Sequence, residues 1–295
     1  AKTKLWFTLS AILTVIGLYS IFAFGLRMGL DFTGGSLLEM HFTERPAVQE
    51  LQTTLTDLEA AQIQPAGTDK YIIRSKTLTE TQHQDVLKKI TEKYPTAIED
   101  RFESIGPTIG AELRTKSIWS IVIVLIAIVA YIAFAFRKVS RPIASWKYGI
   151  AAIIALAHDL LMAVGIYALV SHYTGWEVDS LFITALLTLL GFSVHDTIVT
   201  FDRTRELLRS HTNESFPELV NRATNETLVR SLNTSLTAIL VLFAIFLFGG
   251  ASIRHFVFTL LIGMVVGTYS SIFIASPILV AWERWSKKGS NGLKD

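Results

Sequence analysis

The chain has 295 residues, 51% of them hydrophobic and only 18% charged, with a net charge of +2. So little charge, with the apolar residues gathered in long runs, assigns the chain to the membrane class rather than the soluble one. The near-neutral balance offers nothing to nucleic acid, and the lack of cysteine excludes disulfides, thiolate chemistry and cysteine-based metal sites.

The first apolar run, Leu5–Leu26, is of full spanning length and lacks a small-residue cleavage site. It is expected to stay as a helix, not to be removed as a signal peptide. About eighty polar residues follow. Leu38, Met40 and Phe42 alternate as in a half-buried strand, and Val48, Leu51, Leu55 and Leu58 fall at helical spacing behind Pro46. Gly67 separates two extended pieces, Gln62–Pro65 and Tyr71–Arg74. Leu87, Ile90 and Tyr94 mark a second helix that must stop before Pro95, and Ile98–Ser104 reads as a last strand. The order β-α-β-β-α-β predicts an α+β ferredoxin-like domain. His41 and His83 have no catalytic or metal-binding company there and are expected as ordinary surface or strand residues.

Five more runs have spanning length: Ile118–Phe136, Ile150–Val170, Leu181–Thr200, Leu232–Phe248 and Phe256–Val280. Basic residues sort the loops. Lys2 and Lys4 precede the first span. Arg137, Lys138, Arg141 and Lys147 follow the second, Arg203, Arg205 and Arg209 the fourth, and Arg284, Lys287 and Lys288 the sixth. The alternate loops are nearly free of Lys and Arg, so both termini are expected in the cytoplasm. The fold expected is an α-helical membrane protein with six transmembrane helices and one extracytoplasmic domain between helices 1 and 2. Its expected parts are a first helix (1–28), the outside domain (29–112), the five-helix remainder (113–286) and a cytoplasmic tail (287–295).

Asp196 is the most informative residue, because it sits with His195 in the last turns of a spanning run. A charge at depth costs about 2.5–3.5 kcal/mol on insertion scales, so an intramembrane carboxylate points to function, here a reversible proton acceptor. Asp159 lies inside the third span beside His158 and is expected in the same polar network or in helix packing. Arg230, followed by Ser231, Asn233, Thr234, Ser235 and Thr237, is expected to face the bundle interior as a partner of Asp196. Thr197, His158 and His195 would support that network as hydrogen-bonded interior residues. Gly263 and Gly267 form a GxxxG pair that lets helices approach closely, whether inside the bundle or against a partner. Asp31, Phe32, Gly34 and Gly35, where the first helix meets the outside domain, are expected to form a junction of tight turns. Asp202, Arg203, Arg205 and Glu206 read as a solvated charged face. No phosphate-binding loop is present, and neither covalent catalysis nor a cofactor or metal is expected.

Four stretches carry a family resemblance: GLDFTGGSLLE (Gly29–Glu39), LLGFSVHDTIVTFDRTRE (Leu189–Glu206), ETLVRSLNTSLTAIL (Glu226–Leu240) and LLIGMVVGTYSSIFIASPIL (Leu260–Leu279). Together they resemble the SecF subunits of the SecDF accessory complex of bacterial protein export, within the resistance-nodulation-division superfamily. His195 departs from the pattern, which more often has Asn there. The resemblance implies a proton-driven role for Asp196 in protein translocation. The partners it implies are SecD, the SecYEG channel, the SecA ATPase indirectly, the translocating preprotein, and YidC and YajC. Two other roles fit the same residues: a scaffold subunit whose intramembrane charges serve assembly, and, less well, half of a small-molecule exporter.

Overall fold

The computed structural model describes residues 3–56, 58, 62–136, 144–210 and 214–291. Arg137, Lys138 and Arg141, part of the predicted basic loop, lie outside them, as does Lys2. The chain divides into two compact units, residues 28–118 and the remainder.

After the long first helix α1 (Thr3–Phe24), the smaller unit opens with a one-turn helix, α2 (Leu30–Thr33). Then come β1 (Gly35–His41), α3 (Val48–Thr54), β2 (Gln62–Ala66), β3 (Lys70–Ser75), α4 (Glu80–Lys93) and β4 (Ile98–Ile105). The element order is the predicted β-α-β-β-α-β, and the sheet runs β2-β3-β1-β4 with all neighbours antiparallel. The alternation of β1 buries Leu38, Met40 and Phe42. They pack with Tyr71 and Ile73 of β3, Leu51 and Leu55 near α3, and Val86 and Ile90 of α4. Thr79 caps α4 in a reciprocal box with Gln82. His83 corrects its expectation. It lies buried on α4, stacked on Phe102 at 3.7 Å between ring centres, with Glu80 and Glu99 3.4 and 3.3 Å from its ring nitrogens. The apolar phase of α4 turns this position inward.

Gly34 and Gly35 are tightly constrained. Both have positive φ (69° and 120°). A Cβ on Gly34 would stand 2.9 Å from Pro107 Cα, and one on Gly35 would stand 2.7 Å from the Ser75 carbonyl oxygen. The glycines therefore let β1 start hard against β3 and against the first turn of α5 (Pro107–Ala135). That first turn takes in residues 107–110, so this segment is helical rather than a loose connection.

The larger unit contains α1, the apolar part of α5, α6 (Ser145–Thr174), α7 (Ser180–Arg209), α8 (Phe216–Phe248), and α9 (Ala251–Ser270), which runs through a π-helical turn (Ser271–Ala275) into α10 (Ser276–Asn291). Among the described residues, six helices are long and apolar enough to cross a membrane. The fifth is much longer than its predicted Leu232–Phe248, starting at Phe216 behind a Ser215–Glu218 capping box. α7 and α9 are central. Gly263 and Gly267 meet Leu189 and Ser193 of α7 so closely that a Cβ would stand 2.5 and 3.1 Å from them. The GxxxG face is therefore internal. A second close approach pairs Gly17 of α1 with Gly165 of α6, where a Cβ on Gly165 would be 2.4 Å from Gly17 Cα.

Candidate functional site

Asp159 is the centre of the bundle's polar network and is fully buried. Its Oδ2 accepts from Ser193 of α7 and from Ser270 of α9, the latter at 2.6 Å. Its Oδ1 lies 3.0 Å from His158 Nδ1, so adjacent residues bridge although they leave the helix about 100° apart. The other ring nitrogen of His158 contacts Ser10 Oγ of α1 at 2.6 Å. Four helices thus converge on one carboxylate, and among the described residues no Lys or Arg pairs with it. A buried carboxylate survives only when donors replace its water, and three do so here.

Proline explains how α9 supplies two hydroxyls in succession. Pro277 has no N–H for the Phe273 carbonyl and its ring crowds that group, which breaks the regular ladder. The π-helical turn at Ser271–Ala275 lies directly before it. Ser270 points to Asp159, while Ser271 Oγ donates to the Ser193 carbonyl at 3.1 Å and lies 2.9 Å from Thr197 Oγ1. Such turns recur at functional sites.

Asp196 lies one turn beyond Ser193 and is 8% exposed. Among the described residues its Oδ2 accepts a single hydrogen bond, from Ser235 of α8 at 3.4 Å, and Ser235 in turn accepts from Thr268 of α9 at 2.7 Å. A cavity of about 440 Å³ reaches it, lined by Gly191, Phe192, His195, Thr234 and Thr268 among others. Of the two carboxylates, Asp159 is held by many donors and sealed, whereas Asp196 is held by one and faces open space.

Three expectations are corrected by helical phase. Arg230 does not pair with Asp196: it lies exposed on α8, whose inward stripe is Thr227, Ser231 and Ser235. Asn233 is exposed too, and Thr234 reaches the cavity without being buried. Consecutive polar residues are spread around a helix by 100° steps, so a polar run cannot all face inward. His195 is not an interior residue: its side chain is 65% exposed, 3.5 Å from Asp196 Oδ1. Thr197 is buried in the network as expected. The charged face forms ion pairs, Arg203 with Glu226 at 2.5 Å across α7 and α8 and Arg205 with Asp202 at 2.5 Å. Asp31 and Phe32 sit in α2, Phe32 buried.

The sequence reading missed Ser10, Ser193 and Ser270 as partners of Asp159. Ser193 and Ser270 sit beside the recognised glycines, and Pro277 was the available signal for the π-helical turn. It also missed Asp179, which caps α7 through Phe182 N–H at 2.8 Å and meets His255 of α9 at 2.9 Å. Burial pushes this carboxyl up, but the His255 and Phe182 hydrogen bonds outweigh it and hold it below the usual range.

Comparison with known proteins decides the family. Residues 85–285 match "Protein export membrane protein SecD/SecF, C-terminal", and residues 19–44, which contain the Gly34–Gly35 turn, match the "SecD/SecF GG Motif". The chain belongs to the SecF family. It is 42% identical to protein translocase subunit SecF of Thermobaculum terrenum, over 94% of this chain and 91% of that one. It is 39% identical to SecF of Anaerolinea thermophila, over 98% and 96%. The crystal structure of SecDF from Thermus thermophilus, a translocon-associated membrane protein, superposes with a TM-score of 0.81 at 30% identity, over 96% of this chain. A SecDF structure in a super-membrane-facing form gives 0.67 at 31% identity. The chain spans 38% of the length of each SecDF chain. The chain is thus a SecF-type translocase subunit with the SecDF membrane fold, a multi-pass membrane protein.

Proposed function

We propose that this chain is a proton-motive-force-driven subunit of Sec-dependent protein translocation across the cytoplasmic membrane, with Asp196 as the group that takes up and releases the proton. The observation that carries the reading is the contrast between the two carboxylates. Asp196 has one long hydrogen bond and a cavity at its side, so little ties its carboxyl down and a proton has a route to it. Asp159, tied to four helices, is the frame through which a change at Asp196 is felt, by way of Ser193 one turn away. Thr197, Thr234 and His158 support that frame. Arg230 enters only through motion: exposed one turn before Thr234, it would favour the ionised acid by approaching it.

The drive is sufficient. One charge moved through about 150 mV releases roughly 3.5 kcal/mol. That shifts a two-state population from about 95:5 to about 5:95. The smaller unit, ferredoxin-like by its element and strand order, would lie outside the membrane, with both termini in the cytoplasm by the charge of the loops. Motion would reach it through Asp31–Gly35 and the 106–110 turn. SecD would supply the facing half of the polar network; SecYEG, SecA, the preprotein, and YidC and YajC complete the proposed surroundings. The role is transport, not covalent chemistry.

The test is preprotein translocation with SecD present, with and without a proton gradient, comparing native protein and Asp196→Asn after equal assembly is shown. Loss of the gradient response with assembly intact supports the reading, and a full response refutes it. Loss of assembly itself would favour the scaffold role.

A further inference from the structure

A groove between α8 and the α9–α10 helix has the shape and chemistry of a single lipid. At one end it is polar. Arg284, Asn221 and Asn225 line a cavity of about 240 Å³ there, floored by Trp6 stacked on Phe273 at 4.0 Å. Arg284 is exposed and has no ion pair among the described residues, and neither asparagine amide has a hydrogen-bond partner among them. Trp282 and Trp146 meet edge to face at this end, and Trp285 is 74% exposed. Tryptophans gather at the headgroup level of a bilayer, which sets the height of Arg284.

The groove continues as an apolar trough. A second cavity, of about 280 Å³, shares Ile272 and Phe273 with the first and runs along Leu232, Leu236 and Ile239 of α8. From Leu228 to Ile239 the α8 wall rises about 16 Å, which matches one leaflet, about 15 Å of a hydrocarbon core of about 30 Å. Along its length the trough is backed by Ser235 and Thr268, the hydroxyl pair that also lines the Asp196 cavity.

We propose that this groove holds one anionic phospholipid, its headgroup phosphate on Arg284, Asn221 and Asn225 and an acyl chain along Leu228–Ile239. The unpaired guanidinium selects a negative headgroup, because a charge-assisted pair with phosphate is stronger than a neutral hydrogen bond. The apolar trough selects a chain, so free phosphate lacks most of the contact. The acyl chain would back the Ser235–Thr268 wall and keep bulk water from reaching Asp196 from that side. The site stands on its own geometry, whatever the role of Asp196.

The experiment is native mass spectrometry of the full chain purified with SecD and exchanged into detergent carrying phosphatidylglycerol or phosphatidylethanolamine. The variants are Arg284→Gln, Arg284→Lys and Leu236→Trp. Native protein should retain one phosphatidylglycerol, in preference to phosphatidylethanolamine. Arg284→Gln, at an exposed helix position that cannot unfold the bundle, should lower that preference about tenfold. Arg284→Lys should restore part of it, and Leu236→Trp should lose both lipids by filling the trough. Inorganic phosphate at millimolar concentration should not displace the lipid. Retention of phosphatidylglycerol unchanged in Arg284→Gln, equal retention of both lipids by native protein, retention by Leu236→Trp, or displacement by phosphate would each overturn the proposal.

Discussion

Replacing Asp159 by Asn separates a held carboxylate from a neutral acid. In the native structure Ser193 and Ser270 both donate to Oδ2, and His158 sits at Oδ1. Hydrogen bonds to a charged group contribute about 1.5–3 kcal/mol each. An asparagine keeps one oxygen for His158 but turns an NH2 towards the two serine hydroxyls. Ser270 has a second acceptor, the Gly267 carbonyl at 3.1 Å, and can rotate to it. The loss is then mainly the charge and the Ser193 bond, about 2–3 kcal/mol. For a unit of this size that is a fall in Tm of about 5–10 °C. Asp196→Asn, which gives up one 3.4 Å bond beside open space, should cost under about 1 kcal/mol. The assay is thermal unfolding of the complex in detergent at neutral pH. A change below about 2 °C for Asp159→Asn would mean that residue 159 already sits there as a neutral acid, and a larger loss for Asp196→Asn would reverse the assignment of the two roles.

Gly165→Val should destabilise the bundle by about 2–3 kcal/mol, because its Cβ would fall 2.4 Å from Gly17 Cα. Gly191→Ala, with nothing within 4 Å, is the control that should unfold at the native temperature in the same scan. Gly35→Ala should cost about 2–3 kcal/mol and open the smaller unit to protease, since φ is 120° and the Ser75 carbonyl stands 2.7 Å from the new carbon. Protease resistance equal to native would contradict the strain argument. Lys70 bridges Asp100 at 2.7 Å and Glu39 at 3.1 Å, and those bonds hold its ammonium up to about 12. Its contribution is therefore whole below the unfolded value of about 10.4 and is lost as pH rises through about 12. The stability difference between native and Lys70→Met should stay constant to about pH 10 and shrink above it; a difference that fades below pH 9 would contradict the pairing.

The smaller unit was legible because its signals are local. Leu38, Met40 and Phe42 alternate, Gly67 punctuates a hairpin with positive φ, and Pro95 stops α4 one residue after its cap. The spans were legible from hydropathy, and Asp159 and Asp196 from being charged within them. What escaped depends on where helices meet. Arg230 reads as a neighbour of Asp196 until the phase of α8 turns it away. Ser270 and Ser271 carry no local signal, because it is the turn before Pro277 that sets both hydroxyls inward. Gly17 and Gly165 lie on different helices, and nothing in either local sequence announces that they touch. His83 shows the same limit inside the smaller unit: a lone histidine reveals its burial only when Phe102 of β4 is brought under it.

The central claim is that Asp196 carries the proton. The most direct test is proton flux in liposomes holding the purified complex with SecD under an imposed membrane potential, comparing native protein with Asp196→Asn at equal assembly. The account predicts a gradient-driven flux in the native complex that falls to the leak rate in the variant. Native-level flux from an assembled Asp196→Asn complex would contradict it and move the proton to Asp159 or to SecD.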